Sequence, residues 1–389
     1  MNSVTEFSLS GVFLQDRLNI DKKSRTSRLP WRGQFSPEFV EYLLETALHD
    51  ANHIFDPFCG SGTVIYESAL KGRTAIGTEI NPSAWHLASL VSLADLEKRE
   101  IDHVSDTLDK IVLKVSDFEF SKKAIAEILI SKETSAEAKK CLTAAILLGM
   151  KNSVEFNETT LKYGAGIVKN LIKEIKLYKG AGKCLLEDAR QTSIVTDTID
   201  GVITSPPYIN VFNYHQNYRP ATEMLGWNPL NAAKSEIGAN RKYRQNRFLT
   251  VIQYCLDMAM VIDELARVSK AGAVTVMVVG RESKVLGTSF LNSEIIKDLF
   301  AHSKAFEFTQ EAERVFTNRF GQKIYEDVLV FKCVGKCKIS QTDARSVGVK
   351  ALLAARKTAP SESLELIQLA INSESKVLPS PILNLNIPY

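Results

Sequence analysis

The chain has 389 residues, 45% of them hydrophobic and 24% charged, with a net charge of +3. That length holds a large core, as one catalytic domain with insertions or as two domains, and the composition excludes a disordered, collagenous or disulfide-stapled chain. So small a net charge excludes any case for a polyanionic partner from bulk electrostatics, and only the local distribution speaks to it: residues 17 to 32 carry six Lys or Arg against one acid, residues 215 to 247 six against two.

Six cysteines, at 59, 141, 184, 255, 333 and 337, lack the spacing of a disulfide framework. Cys333 and Cys337 amount to half a zinc site, so no metal is expected. No signal peptide opens the chain and no apolar run reaches the length of a membrane helix, which predicts a cytoplasmic protein without a membrane partner.

Residues 1 to 28 are polar and end in Lys22-Lys23-Ser24-Arg25-Thr26-Ser27-Arg28, which predicts a flexible basic arm. A loop through Pro30, Trp31, Arg32 and Gly33 leads into a helix with Ser36 as N-cap, Pro37 at its first position and apolar residues at 39, 40, 43, 44 and 47. His53-Ile54-Phe55-Asp56 predicts the first strand, and Pro57-Phe58-Cys59-Gly60-Ser61-Gly62 turns into a helix from Thr63 to Leu70. Gly60 and Gly62 permit backbone a Cβ would block, and the free N–H groups of the next helix can receive an anion. Thr74 to Thr78 follows as a second strand with Glu79 at its carboxyl end, about twenty residues past the glycines, where a carboxylate can accept from both hydroxyls of a ribose. Dinucleotide sites share that geometry, but this loop lacks their third glycine.

Residues 81 to 180 read as helical, with amphipathic stretches at 136 to 150 and 163 to 178, far longer than an ordinary crossover. They form a helical insertion, either a contact module or a scaffold. Lys183 to Asp188 predicts a third strand, and a short turn leads to the fourth, Ile199 to Ile203, which ends in Thr204-Ser205-Pro206-Pro207-Tyr208. Two prolines stop a buried parallel strand in a rigid loop, at the sheet edge where ligands of open α/β sheets sit. A short polar group, fixed carbonyls and an aromatic face suit a flat heteroaromatic ring bearing an amino group; a plain turn with Tyr208 on the core is the alternative.

Residues 209 to 247 are rich in aromatic, amide and basic side chains, which can stack unpaired bases and read their edges. His215 alone earns no catalytic role. Further on, a helix from 248 to 268, a strand from 273 to 279, a helix from 293 to 302 and strands at 305 to 310 and 327 to 331 are expected, with a loop from Arg314 to Gln322 and a helical tail from 335 to 389. The alternation predicts a mostly parallel α/β fold.

Together, Asp56-Pro57-Phe58-Cys59-Gly60-Ser61-Gly62-Thr63 and Ser205-Pro206-Pro207-Tyr208 resemble the cofactor and nucleotide loops of S-adenosylmethionine-dependent DNA amino-methyltransferases; the serine form of the second is the one most often seen in cytosine-N4 enzymes. The resemblance implies a Rossmann-like class I methyltransferase sheet, mostly parallel with one antiparallel edge strand, over residues 29–80 and 181–334, with the helical insertion at 81–180. It implies S-adenosylmethionine held by Trp31, Arg32, Asp56, Phe58, Cys59, Gly60, Ser61, Gly62, Thr63 and Glu79, with Asp188 and the Ala189 backbone on the adenine. Ser205, Pro206, Pro207 and Tyr208 would be catalytic. Double-stranded DNA is the implied partner, met by Tyr214, Arg219, Arg241, Arg244, Arg247 and Arg319, with 209–247 as the target-recognition region and a cognate restriction endonuclease as a further partner.

The product implied is N4-methylcytosine on a flipped-out base, in a restriction-modification or defence system. Adenine-N6 and RNA amino-methylation share the chemistry, and a non-catalytic binding protein of the same fold is a third reading. The turn between strands three and four is too short for a recognition domain, which departs from the family layout. No Pro-Cys nucleophile follows the fourth strand, which argues against carbon-5 methylation.

Overall fold

The structure is a computed structural model that describes residues 13–20, 24–31, 33–117, 122–151, 155–209, 214–239, 243–318 and 321–383. Helices α1 (Gln15–Asn19) and α2 (Pro37–Glu45) precede β1 (His53–Asp56), α3 (Thr63–Leu70) and β2 (Thr74–Thr78). The bounds of β1, α3 and β2 coincide with the expected ones, because apolar runs and glycine punctuation fall together there. Helices α4 (Pro82–Ala88), α5 (Lys98–Asp117), α6 (Lys122–Ile130), α7 (Ala136–Gly149) and α8 (Glu158–Ile175) fill the crossover to β3 (Gly182–Leu185). After β4 (Ile199–Thr204) come α9 (Arg219–Met224), α10 (Pro229–Ala233), α11 (Leu249–Val268), β5 (Ser269–Gly280), β6 (Glu282–Val285), β7 (Thr288–Leu291), α12 (Asn292–Ser303), β8 (Phe306–Thr317), β9 (Lys323–Cys333), α13 (Gln341–Arg356) and α14 (Leu364–Asn372).

Seven strands form one sheet in the order β3-β2-β1-β4-β5-β9-β8. The first five are mutually parallel, and β9 runs antiparallel to both its neighbours. The expected mostly parallel α/β sheet is present, with its reversed strand one place in from the edge. Alternate residues serve opposite faces. Ile54, Ile203 and Val276 join Leu43, Ile65, Leu142, Ile146 and Val168 in one core, while Phe55, Val202 and Met277 join Ile252, Leu299 and Leu352 in the other.

The inserted helices are part of the first core. Gly164 of α8 meets α7 backbone to backbone: a Cβ there would lie 1.8 Å from the Ala145 carbonyl oxygen. Side-chain caps start both helices, Ser135 accepting from Ala138 N–H and Asn157 from Thr160 N–H.

Several expectations are corrected. The basic arm is docked where it is described: Arg25 pairs with Glu41 (2.5 Å) and Glu67 (3.1 Å), and Arg28 with Glu67 and Glu174. Glu67 is fully buried on α3, and two guanidiniums compensate its charge. Upstream, α1 holds β8: Leu18 O accepts from Arg314 Nε (3.0 Å), Asn19 Oδ1 from Val315 N–H (2.8 Å) and Glu313 O from Gln15 Nε2 (2.6 Å). Strands β8 and β9 outrun their expected lengths, so Arg314 lies in a strand and not in a loop. The β6–β7 hairpin was not foreseen; its Leu286-Gly287 turn has positive φ at both residues. Asp188 lies beyond the end of β3 and not in it, and Ser36 precedes α2 without a side-chain capping bond. No helix among the described residues is long and apolar enough to cross a membrane.

Candidate active site

The carboxyl ends of β1, β2 and β4 open on one cavity of about 1100 Å³, and both motifs line it. Gly60 (φ +52°) and Gly62 (φ +94°) shape the loop after β1. The Trp31 indole lies over Gly60, where a Cβ would come within 3.1 Å of it. Gly60 N–H donates to Glu79 Oε2 and Asn81 N–H to Glu79 Oε1, both at 2.8 Å, so the acid that ends β2 also fixes the loop that ends β1. Burial pushes Glu79 up to about 7.

Asp56 is tied to the second motif. Its Oδ1 accepts from Thr204 Oγ1 (2.8 Å) and from Phe58 N–H (3.1 Å), and burial pushes it up to about 7. Thr204 precedes Ser205, so one hydrogen bond joins the tips of β1 and β4. Ser205 Oγ lies 3.3 Å from Tyr208 Oη. The Tyr208 ring occupies the space that Gly280, at the end of β5, leaves for it: a Cβ there would stand 2.7 Å from the ring. Burial raises the titration of the Tyr208 hydroxyl above its ordinary range.

Trp31, Asp56, Phe58, Cys59, Gly60, Ser61, Thr63, Glu79, Asp188 and Ala189 all line the cavity, as do Ser205, Pro207, Tyr208 and Tyr214. Gly62 sits behind it against Tyr66 and Ala88, and Pro206 is buried. Arg32, Arg241 and Arg319 lie outside the described residues. Arg219 pairs with Glu223 (2.7 Å) on α9, Arg244 is exposed and Arg247 half-buried, so of the expected DNA contacts that are described only Tyr214 reaches the cavity. The reason is that aromatics of this segment turn inward. Tyr218 stacks on Trp31 (6.0 Å between centroids) and donates to Pro30 O (2.7 Å), while His215 is buried and donates its N–H to Glu236 (2.8 Å).

Asp188 differs from expectation. Its Oδ1 accepts from Arg190 N–H (3.1 Å) and Nε (2.9 Å), its Oδ2 from Arg190 Nη2 (2.7 Å) and Leu383 N–H (3.1 Å). A carboxylate offers about four acceptor positions. All are filled, so Asp188 is a hub between β3 and the tail and not an open acceptor for an adenine amino group. Arg190 also reaches Asp257 (2.7 Å) and the carbonyls of Ser380 (2.8 Å) and Pro381 (2.9 Å); Asp257 accepts from Ser380 N–H and Oγ.

Residues that reading the sequence missed include Asn81, Glu236, Ile324 and Glu326, while Gln216 and Asn217 belong to the expected amide-rich stretch and Phe316 and Asn318 to the expected 314–322 loop; all line the cavity. Lys151, at the end of α7, is the single cation among the described lining residues. Only the strand register, which local pattern does not carry, brings the hairpin residues here.

Residues 7–89 match the family model described as DNA methylase. The Type II methyltransferase M.MjaII of Methanocaldococcus jannaschii is 30% identical over 103 residues, a match that covers 25% of this chain and 19% of that one. Among solved structures, a SAM-dependent methyltransferase from Methanosarcina mazei aligns at 15% identity and TM-score 0.33, covering 74% of this chain and 97% of that one. Magnesium protoporphyrin IX methyltransferase from Synechocystis, with bound SAH, aligns at 10% identity and TM-score 0.35, covering 76% and 82%. The family match takes in Trp31, the glycine loop and Glu79, and by it this part of the chain is similar to DNA methylases.

Proposed function

We propose that the chain is an S-adenosylmethionine-dependent DNA methyltransferase that methylates the exocyclic N4 amino group of a flipped-out cytosine, as the modification partner of a cognate restriction endonuclease. The observation that carries this reading is that the glycine loop and the Ser205–Tyr208 loop line one cavity and are joined through Thr204 and Asp56. At about 1100 Å³ the cavity exceeds an ordinary small-ligand site, which suits a cofactor plus a base.

The residues fit the cofactor. The turn at Gly60 is a cradle that any Cβ would fill, Glu79 offers acceptors to ribose hydroxyls, and the Ala189 backbone lines the same wall. When bound, S-adenosylmethionine supplies an electrophilic methyl group on a sulfonium. The chain's part is to present the nucleophile. A cytosine amino lone pair is delocalised into the ring, and hydrogen bonds to Ser205 Oγ and the Pro206 carbonyl would draw the nitrogen toward tetrahedral geometry. Tyr208 would stack on the extruded base.

The test is incubation with labelled S-adenosylmethionine and double-stranded DNA or RNA, followed by mass identification of the modified nucleoside. N4-methylcytosine in DNA is expected. N6-methyladenine, a modified ribonucleoside or no incorporation overturns the reading, and a Ser205→Ala chain that works at the wild-type rate overturns the mechanism.

A further inference from the structure

We infer that Glu326 is the proton acceptor of the transfer, a catalytic residue outside both motifs; the inference rests on the amino-methyltransferase reading of the cavity. An amine that gains a methyl group becomes a cation and has to lose a proton. The Ser205 hydroxyl is a weak base, and the Tyr208 hydroxyl beside it is another.

Among the described residues five carboxylates line the cavity: Asp56, Glu79, Asp188, Glu236 and Glu326. Four are committed elsewhere. Asp56 holds Thr204 and Phe58 N–H through Oδ1 at the tip of β1, Glu79 holds Gly60 and Asn81, Asp188 is saturated by Arg190 and Leu383, and Glu236 accepts from His215. Glu326 is bound through Oε2 to Arg314 alone, and its Oε1 has no side-chain or backbone partner among the described residues.

Register puts Glu326 at the target end. Glu326 on β9 lies directly across from Gly280 on β5, and residues directly opposite each other in a ladder project to the same face. The Tyr208 ring fills the place of the missing Gly280 side chain, so Glu326 stands beside the aromatic platform for the base. Asp327 and Glu313, which pair with Arg281, fall on the opposite face of the hairpin. Arg314 is itself buried, with the Phe39 and Phe316 rings 4.3 and 4.5 Å from its guanidinium carbon, and it donates to Leu18 O. A cation clamped in this way fixes one carboxylate oxygen and leaves the other to the cavity.

In the step, the amine lone pair forms the new N–C bond and the C–S pair stays on sulfur, which becomes a neutral thioether. The N–H pair then returns to nitrogen as the proton passes to Glu326 Oε1, leaving a neutral methylamino base and a carboxylic acid that later gives its proton to water.

Glu326→Gln and Glu326→Ala test this with single-turnover transfer at saturating S-adenosylmethionine and DNA, alongside calorimetric binding of S-adenosylhomocysteine. Expected is a rate loss of about 10²- to 10⁴-fold, the usual weight of a general base, with homocysteine-product affinity unchanged and formate restoring part of the rate to the alanine variant. A glutamine variant as fast as wild type overturns the role. So does an alanine variant that formate does not rescue, or one that loses product affinity, because either assigns Glu326 to the framework. A wild-type chain that methylates nothing sinks the reading of the whole site, and the inference with it; an active wild type confines any failure to Glu326.

Discussion

Gly280 shows how little mass decides the target end of the cavity. A Cβ there would stand 2.7 Å from the Tyr208 ring, closer than packed atoms come, so Gly280→Ala has to displace the ring. An ångström of misplacement costs about 10²-fold in rate, and that loss is expected in kcat, with S-adenosylhomocysteine binding retained in calorimetry. Glu79 makes a different prediction. Burial lifts it from 4.5 to about 7, above its unfolded value, so its contribution to the stability of the free protein is complete below about 4.5 and is lost as pH rises through 7. Ribose hydroxyls need the ionised form. Affinity for S-adenosylhomocysteine should therefore rise by up to about tenfold from pH 6 to 8 with release of a proton, and Glu79→Gln should flatten that rise. Asp56 shifts in the same direction, yet its bonds to Thr204 and Phe58 tie it to the tip of β4 and the start of the loop. Gly60, Glu79 and Ser205 were legible because each sits at a fixed offset from a strand end. Glu326 was not, since its meaning depends on a partner strand 46 positions away.

At the scale of elements, β1 and β2 were readable as short apolar runs bounded by turn residues, whereas β8 was cut short. Its exposed, acid-rich middle, Glu307 to Glu313, has no apolar alternation to announce a strand; pairing along the whole of β9 creates one. The tail was likewise opaque, because the bonds that give it a role join Arg190 to residues 190 and 191 positions on. Ending the chain after Lys376 strips Arg190 of two carbonyls and Asp257 of both Ser380 donors, all but the Pro381 bond in the interior. Buried groups left unpaired cost about 1–3 kcal/mol each, so urea unfolding should show at least that much lost stability, while Ser205 and Tyr208 keep their places.

For the molecule as a whole, the basic segments that suggested nucleic acid divide into two kinds. Arg25 and Arg28 pair with Glu67, and among the described residues the cavity lining has five carboxylates against Lys151. On the proposed DNA reading, Arg244 is an exposed cation open to a phosphate. Arg244→Glu should weaken binding alike on every DNA sequence and reduce the log–log salt slope by about 1, measured by fluorescence anisotropy, with methyl transfer at saturating DNA unaltered. The mostly parallel sheet and a cavity shared by the two motifs were legible in short motifs and their strands; the strand order and the surface open to a polyanion were not, because surface charge in a sequence does not say which charges already have internal partners.

The N-terminal stretch has one more consequence. A run of fewer than twenty residues fastens β8 at one point, through Leu18 and Asn19, and the glycine loop at another, where Ser61 Oγ donates to Leu29 O (3.1 Å) and Trp31 covers Gly60. Two walls that share a tether relax together. Filling the nucleoside end alone should slow deuterium uptake at Arg314 and Val315, and exchange mass spectrometry with and without S-adenosylhomocysteine would register it.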